Sequence, residues 1–393
     1  MRIPNLLKVI YAPQKAIQEI ASNPTYWGPL LIVILFVAAN VGFVYVSSSK
    51  TYFEQTLPNG LNHDVWDENQ TLWTSNNATI SLSSDVINVS YPANARQYYG
   101  TQSMAFSIND SELWMELSNI GPINCSSPNG YDKLDFRVKQ VSPQNSLPVD
   151  ATLYLFSTSP SDSFYYNLTQ NFSNSTVNEW NNLTNIQLAG SGWNEVNAGA
   201  DWNNITGMKL DLTWPAVSNI SMVVYGLFFH GPYESSLENA GSSYVFSAGF
   251  SYALDFIITW VILGGLLYLL SKALGAKLVW KPLLIAIGCI LITMVVQTVV
   301  NLAAWGTLSN VYVPFALSGG IPGEGQAALN AISNQTYFVS LTATVIQIIT
   351  YVWTIALAGL AVHLLGKFSW GRSLLAATVA YFVTQLIASF LFA

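Results

Sequence analysis

The hydrophobic pattern of the chain changes character between its parts. Five stretches, Trp27–Val46, Val245–Leu270, Pro282–Trp305, Tyr337–Leu365 and Leu374–Phe392, are apolar almost throughout. Each reaches the ~20 residues that a helix needs to cross a bilayer, so they predict five membrane spans. From Leu72 to Gly231 the pattern is different. Apolar residues take every second position in short runs, Met104–Ile108, Leu113–Leu117, Leu134–Val138, Thr152–Phe156, Thr184–Leu188, Met208–Leu212 and Ser221–Phe229, with clusters of Asn, Ser, Gly and Pro between them. Such alternation buries one face of each strand and predicts an all-β, antiparallel sandwich inserted after the first span.

Ahead of the first span, Pro4 to Asn23 is too polar to cross and lacks the apolar core and small-residue cleavage site of a signal peptide. Ile3, Leu6, Leu7, Ile10, Ile17 and Ile20 recur near helical spacing, with Lys8, Lys15 and Glu19 elsewhere. This pattern predicts an amphipathic interfacial helix kinked at Pro13.

Charge adds an orientation. Only 9 % of the residues are charged, against about 25 % in a soluble protein. Arg2, Lys8 and Lys15 precede the first span, Lys272, Lys277 and Lys281 join the second to the third, and Lys367 and Arg372 join the fourth to the fifth. Basic residues are retained in the cytoplasm, which places these segments there. The expected partition is a cytoplasmic segment 1–25; spans 26–46, 245–270, 282–305, 337–365 and 374–393; a large external domain 47–244; an external loop 306–336; and cytoplasmic loops 271–281 and 366–373. Ala393 then ends the chain at the outer face. All Asn-x-Ser/Thr triplets fall in the two external regions: Asn69, Asn77, Asn88, Asn109, Asn124, Asn167, Asn171, Asn174, Asn182, Asn204, Asn219 and Asn334. They are candidate N-glycosylation sites, and their density suits an archaeal plasma membrane. Acidic side chains outnumber basic ones in the external domain, which excludes nucleic acid as a partner. Cys125 lies in that domain and Cys289 in the third span, so no intrachain disulfide is expected.

The second half of the domain carries Leu153-Tyr154-Leu155-Phe156, then Phe164-Tyr165-Tyr166, Trp180, Ile186-Gln187-Leu188, Asp201-Trp202-Asn203-Asn204-Ile205-Thr206-Gly207 and Val223-Val224-Tyr225-Gly226-Leu227-Phe228-Phe229. This succession resembles the β-jelly-roll modules of carbohydrate-active enzymes, related to galactose-binding-like domains. The resemblance implies a jelly-roll sandwich and a glycan partner. Aromatic rings presented flat to solvent would be needed for sugar stacking. Trp66, Trp73, Trp114, Trp180, Trp193, Trp202, Trp214, Tyr165 and Tyr166 are available, and Trp114 and Trp214 alternate with core residues. Trp193, between Gly192 and Asn194, is the expected exposed ring. Asp110, Glu112, Asp132 and Asp135 could offer oxygens to a structural Ca²⁺, although their spacing matches no specific loop.

The membrane part begins with an amphipathic segment containing Pro13 and Glu19, then Asn23-Pro24 leading into the first span. With the turns Tyr268-Leu269-Leu270-Ser271-Lys272 to Trp280-Lys281-Pro282 and His363-Leu364-Leu365-Gly366-Lys367 to Trp370-Gly371-Arg372, it resembles the Yip family. These are five-span proteins named for interacting with Ypt/Rab GTPases. The resemblance implies a five-helix bundle that anchors or scaffolds. The inserted domain and the Gly319-Gly320-Ile321-Pro322-Gly323-Glu324-Gly325 loop depart from the family pattern, so the GTPase role is not carried over.

Each expected span holds a polar residue in its outer half: Asn40, Asp255, Gln297 with Asn301, Gln347 and Gln385. Such residues glue helices by hydrogen bonds or line a polar cavity, with Asp255 as its ionisable member. Three histidines, at 63, 230 and 363, lie in separate regions, and no zincin, nucleophile-elbow or phosphate-loop motif occurs. The expectation is a non-enzymatic protein without cofactor that recognises a surface protein or glycan, alone or within a larger membrane complex. The alternative is a transporter or channel component using the polar layer.

Overall fold

The computed structural model describes residues 8–59, 64–87, 100–126, 130–159, 161–318 and 323–391. Asn88, His63 and most of the 319–325 loop lie outside them. The chain divides into two compact units, one of helices and one of strands.

The helical unit starts with residues 8–11, which are helical up to Ala12, where φ −139° and ψ 57° break the helix. Pro13 then opens α1 (Pro13–Ser22) from the first turn, where a missing N–H costs nothing. Val9, Ala16, Ile17 and Ile20 are buried, and Lys8 pairs with Glu19 at 2.7 Å across the break. Next come α2 (Trp27–Lys50), α3 (Ser236–Ala273), α4 (Trp280–Ile290), α5 (Ile292–Thr307), α6 (Glu324–Gly366) and α7 (Trp370–Leu391). Helix α3 is capped by a reciprocal Ser235/Glu238 box, and it breaks at Gly241 (φ 69°, ψ 176°). Among the described residues, five helical stretches are long and apolar enough to cross a membrane by length and composition: Trp27–Lys50, Ser243–Ala273, Trp280–Thr307, Glu324–Gly366 and Trp370–Leu391.

Specific contacts fix this packing. The Trp260 indole donates to Leu284 O at 2.7 Å, and the hydroxyls of Thr293 and Thr354 meet at 2.7 Å. A Cβ on Gly288 would stand 2.6 Å from the Trp260 ring and 2.7 Å from Pro29, so only glycine admits this approach. Lys50 donates to the carbonyls of Gly306 and Leu308 and thereby caps the C-terminus of α5.

The second unit is an antiparallel sandwich built on two long strands. They are β4 (Ser103–Ile123) and β10 (Ile205–Ser235), which pair along most of their length and shift register between Thr213 and Ser218. Before the shift, β10 also pairs with β6 (Asp150–Phe156), which continues through β7 (Ser163–Asn167) to β9 (Trp193–Glu195). β2 (Trp73–Ser75) borders the same part of β4. After the shift, β10 pairs with β5 (Lys133–Ser142) and through it β8 (Trp180–Gln187), while β3 (Thr79–Ser83) borders β4. β1 (Thr51–Leu57) flanks β10 and carries β11 (Val311–Val313). The inward residues of both halves, among them Phe106, Met115, Phe136, Leu153, Phe164, Leu210 and Met222, form one core. Among the described residues the strands form one 11-stranded sheet, and the inward residues of its two halves pack into that core.

The observed elements correct the expected boundaries. The runs Met104–Ile108 and Leu113–Leu117 are one strand, as are Met208–Leu212 and Ser221–Phe229, because β4 and β10 continue through the register shift between Thr213 and Ser218. Residues 306–336 are not a plain loop. Val311–Val313 adds a strand, Phe315–Ser318 is a 3₁₀ turn, the helix begins at Glu324, and Tyr312–Ile332 clusters with the sandwich. Asn334 consequently sits on α6. Cys125 and Cys289 are buried free thiols.

Candidate functional site

The two halves of the sheet, before and after the register shift in β10, differ on their outer faces. In the second half of β10 every residue from Met222 to Gly231 is buried, so that face is covered. In the first half inward residues alternate with half-exposed Lys209, Asp211 and Thr213, so the face is open. Register aligns a row across the open face: Thr74 opposite Glu116, Glu116 opposite Lys209, Lys209 opposite Tyr154, Tyr154 opposite Tyr165, and Tyr165 opposite Asn194. The neighbouring row holds Trp114, Asp211, Thr152 and Asn167. Cross-strand partners share a face, so three rings, two carboxylates, a lysine and two amides stand together. Lys209 Nζ is 4.6 Å from the Tyr154 ring centroid and 3.0 Å from Asp211 Oδ2, which pins the lysine flat on the sheet. Burial holds the Glu116 carboxyl above its usual value, against the pull of Lys209.

This arrangement reassigns the aromatic candidates. Trp193 is half-buried: its indole donates to Gln187 O at 2.8 Å, and its ring meets Tyr166 at 5.2 Å and Trp202 edge-on at 5.3 Å. Trp202 stacks on Phe164 at 3.9 Å. These rings close the rim of the core, so Trp193 is not the flat exposed ring expected of it. Trp66, Trp73 and Trp214 are core residues, and Trp180 lies against Tyr225. Tyr166 points inward while Tyr165 points outward, and Trp114 is on the open face. Tyr154 escaped the sequence reading. Its signal was phase: Thr152 and Tyr154 alternate with the core residues Leu153 and Leu155.

The covered face holds a second polar site. A bulge between Tyr225 and Phe228, with Gly226 at φ 66°, removes two N–H groups from the ladder. They donate instead to carboxylates, Gly226 N–H to Asp67 and Leu227 N–H to Asp64. Both acids are fully buried, and neither Oδ1 has a hydrogen-bond partner among the described residues. Burial pushes Asp64 up to about 6. Burial and then the Asp64 charge push Asp67 well above the usual range. The bulge also turns Phe228 and His230 outward. His230 Nδ1 lies 3.3 Å from Glu54 Oε1 and Nε2 lies 3.3 Å from Asp135 Oδ2. Burial opposes the imidazolium, but the Asp135 and Glu54 carboxylates beside its two nitrogens win and raise His230 to about 9. Glu54 and Asp135 are both held below their usual values against burial, by the same contacts. Glu54 also accepts from Phe315 N–H at 2.7 Å, and Lys133, Asn185, Tyr233 and Glu324 complete a cavity of about 160 Å³.

The calcium candidates do not converge. Asp135 serves His230, Asp110 accepts from Ser111 N–H at 2.7 Å, and Glu112 is exposed. Among the described residues no three His, Cys, Asp or Glu side chains stand together as metal ligands. Of the sequon asparagines described, Asn69, Asn77, Asn109, Asn124, Asn167, Asn171, Asn174, Asn182, Asn219 and Asn334 are exposed and Asn204 is half-buried. In the helical unit, Asn40, Gln297 and Asn301 line one cavity with Phe36, Phe43, Met294 and Thr298. Asp255 is elsewhere, 3.4 Å from the Thr259 hydroxyl; Gln347 is exposed and bonds Tyr351 at 2.6 Å; Gln385 is half-buried. The expected layer of six is thus a cluster of three.

No family model matches the chain, the Yip family's included, and no curated protein matches it. Among solved structures it is similar to a family 11 carbohydrate-binding module from Clostridium thermocellum in complex with a β-1,3-1,4-mixed-linked tetrasaccharide. Identity is 15 %, 42 % of this chain and 91 % of that one are covered, and the TM-score is 0.28. A C-terminal family 22 carbohydrate-binding module of the same organism gives 15 %, 43 %, 91 % and 0.27. A family 30 carbohydrate-binding module gives 10 %, 40 %, 76 % and 0.27.

Proposed function

We propose that the chain is a non-enzymatic, membrane-anchored recognition protein whose sandwich binds a glycan on the open sheet face. The helices form a Yip-like five-span bundle in a plasma membrane, with residues 1–25 in the cytoplasm and the glycosylated sandwich outside. The in-register row Glu116, Lys209, Tyr154, Tyr165 and Asn194 carries the reading. Two adjacent rings offer apolar surface to the C–H face of a pyranose, and flanking carboxylate, ammonium and amide groups can fix its hydroxyls. The row resides on rigid strands, so it is preorganised.

The test uses the full chain in nanodiscs against a panel of oligosaccharides. Wild type should bind a subset, and Tyr154→Ala with Tyr165→Ala should abolish binding while the melting temperature stays unchanged. Equal binding by the double variant, or no binding by wild type, overturns the reading. The transporter alternative draws on the cavity at Asn40, Gln297 and Asn301, whose lining has no ionisable group. Solute flux in liposomes that survives Asp255→Asn but not Asn301→Leu would favour it.

A further inference from the structure

We infer that the cavity between α2 and α5 is a binding site for a hydroxyl-bearing guest. Its volume is about 200 Å³, well beyond the room one water needs. The lining has a chemical bias. Helix α2 supplies Asn40 and helix α5 supplies Gln297, Thr298 and Asn301, with Phe36, Phe43 and Met294 as apolar walls. Asn40 is buried, and its Nδ2 donates to Phe36 O at 2.9 Å in its own helix. The Thr298 hydroxyl likewise donates to Met294 O at 3.1 Å in its own helix. These bonds do not glue α2 to α5. The Asn301 carbonyl oxygen is buried and has no hydrogen-bond partner among the described residues.

A buried acceptor left unmet forfeits its hydration, so its persistence beside open space calls for a donor from outside the chain. The identity of that donor follows from the lining. With no charged side chain present, a bound ion would lose its hydration without a counter-charge. Uncharged amides and a hydroxyl offer both donors and acceptors, and a hydroxyl answers both because it gives one hydrogen bond and accepts two. Clustered water and the glycerol or sugar headgroup of a lipid share this chemistry. The lipid source rests on the helices being spans; the water source does not.

The experiment compares full-length wild type, Asn301→Leu and Gln297→Leu in nanodiscs, with Thr298→Cys as a probe. If a guest is held, Asn301→Leu lowers the melting temperature, because the guest loses its acceptor. Gln297→Leu acts the same way and covers failed assembly of the first variant. Labelling of Thr298→Cys by a small water-soluble thiol reagent above the wild-type background identifies water. Protection of that cysteine, with a glycerol- or sugar-headed lipid retained in native mass spectrometry and lost in Asn301→Leu, identifies lipid. A raised melting temperature in both leucine variants, with neither labelling nor retained lipid, overturns the inference. Glycan binding is read separately and is unaffected by that outcome.

Discussion

Lys209 lies over the ring of Tyr154, its ammonium nitrogen 4.6 Å from the ring centroid. The two are direct cross-strand partners, so the contact is set by register. Lys209→Met should therefore weaken oligosaccharide binding less than Tyr154→Ala. Loss of a ring at the centre of a contact costs at least about 1.4 kcal/mol, which is tenfold in Kd. Titration calorimetry on the single variants checks the order, and a reversed order would remove Tyr154 from the centre of the site.

His230 should give the sandwich an alkaline limit. Its folded value of about 9 lies above the ordinary 6.5, so its stabilisation is complete below about 6.5 and is lost as pH rises through about 9. Glu54 and Asp135 work in the other direction. They are held below 4.5 and 3.8, so their contribution is lost as pH falls through their lowered values. His230→Gln should flatten the alkaline limb of melting temperature against pH and lower stability at pH 6 by about 3–5 kcal/mol, since two buried carboxylates lose their partner. An unchanged alkaline limb would show that the imidazole is neutral.

Asp67→Asn should stabilise the sandwich as pH rises. Both acids of the pair are raised, so the folded state holds a proton that the unfolded state releases from about 3.8 upward. Stability from the pair is greatest below that value and falls as pH climbs through about 6 for Asp64. An amide still accepts the Gly226 N–H and carries no charge. Denaturant midpoints at pH 5 and pH 8 check this, and a variant that is less stable at both would point to an occupant of the pair other than a proton.

Gly288→Ala should destabilise the helical unit by roughly 1–3 kcal/mol, the usual cost of overpacking. The added methyl would press on the Trp260 ring and on Pro29, 2.6 and 2.7 Å away. Adding Trp260→Phe should recover part of the loss in a detergent melting assay. No recovery would place the strain on Pro29 instead.

The sequence by itself determined which parts of the chain are helical and which are built of strands. Uninterrupted apolar runs made Trp27–Lys50 and its four counterparts long helices, and period-two alternation made Leu153, Leu155, Met208 and Leu210 inward strand residues, because both signals are local. It also put Asn40, Gln297 and Asn301 at comparable depth. Tertiary structure decided what met what. Register placed Lys209 between Glu116 and Tyr154, and rotation of the helices left Asp255, Gln347 and Gln385 out of the amide cluster. Folding of Tyr312–Ile332 into the strand unit brought Phe315 to Glu54, while the bulge at Gly226 reversed the phase of β10 and sent His230 to the covered face. Pairing, rotation and bulges depend on partners distant along the chain, and periodicity within a window carries no information about them.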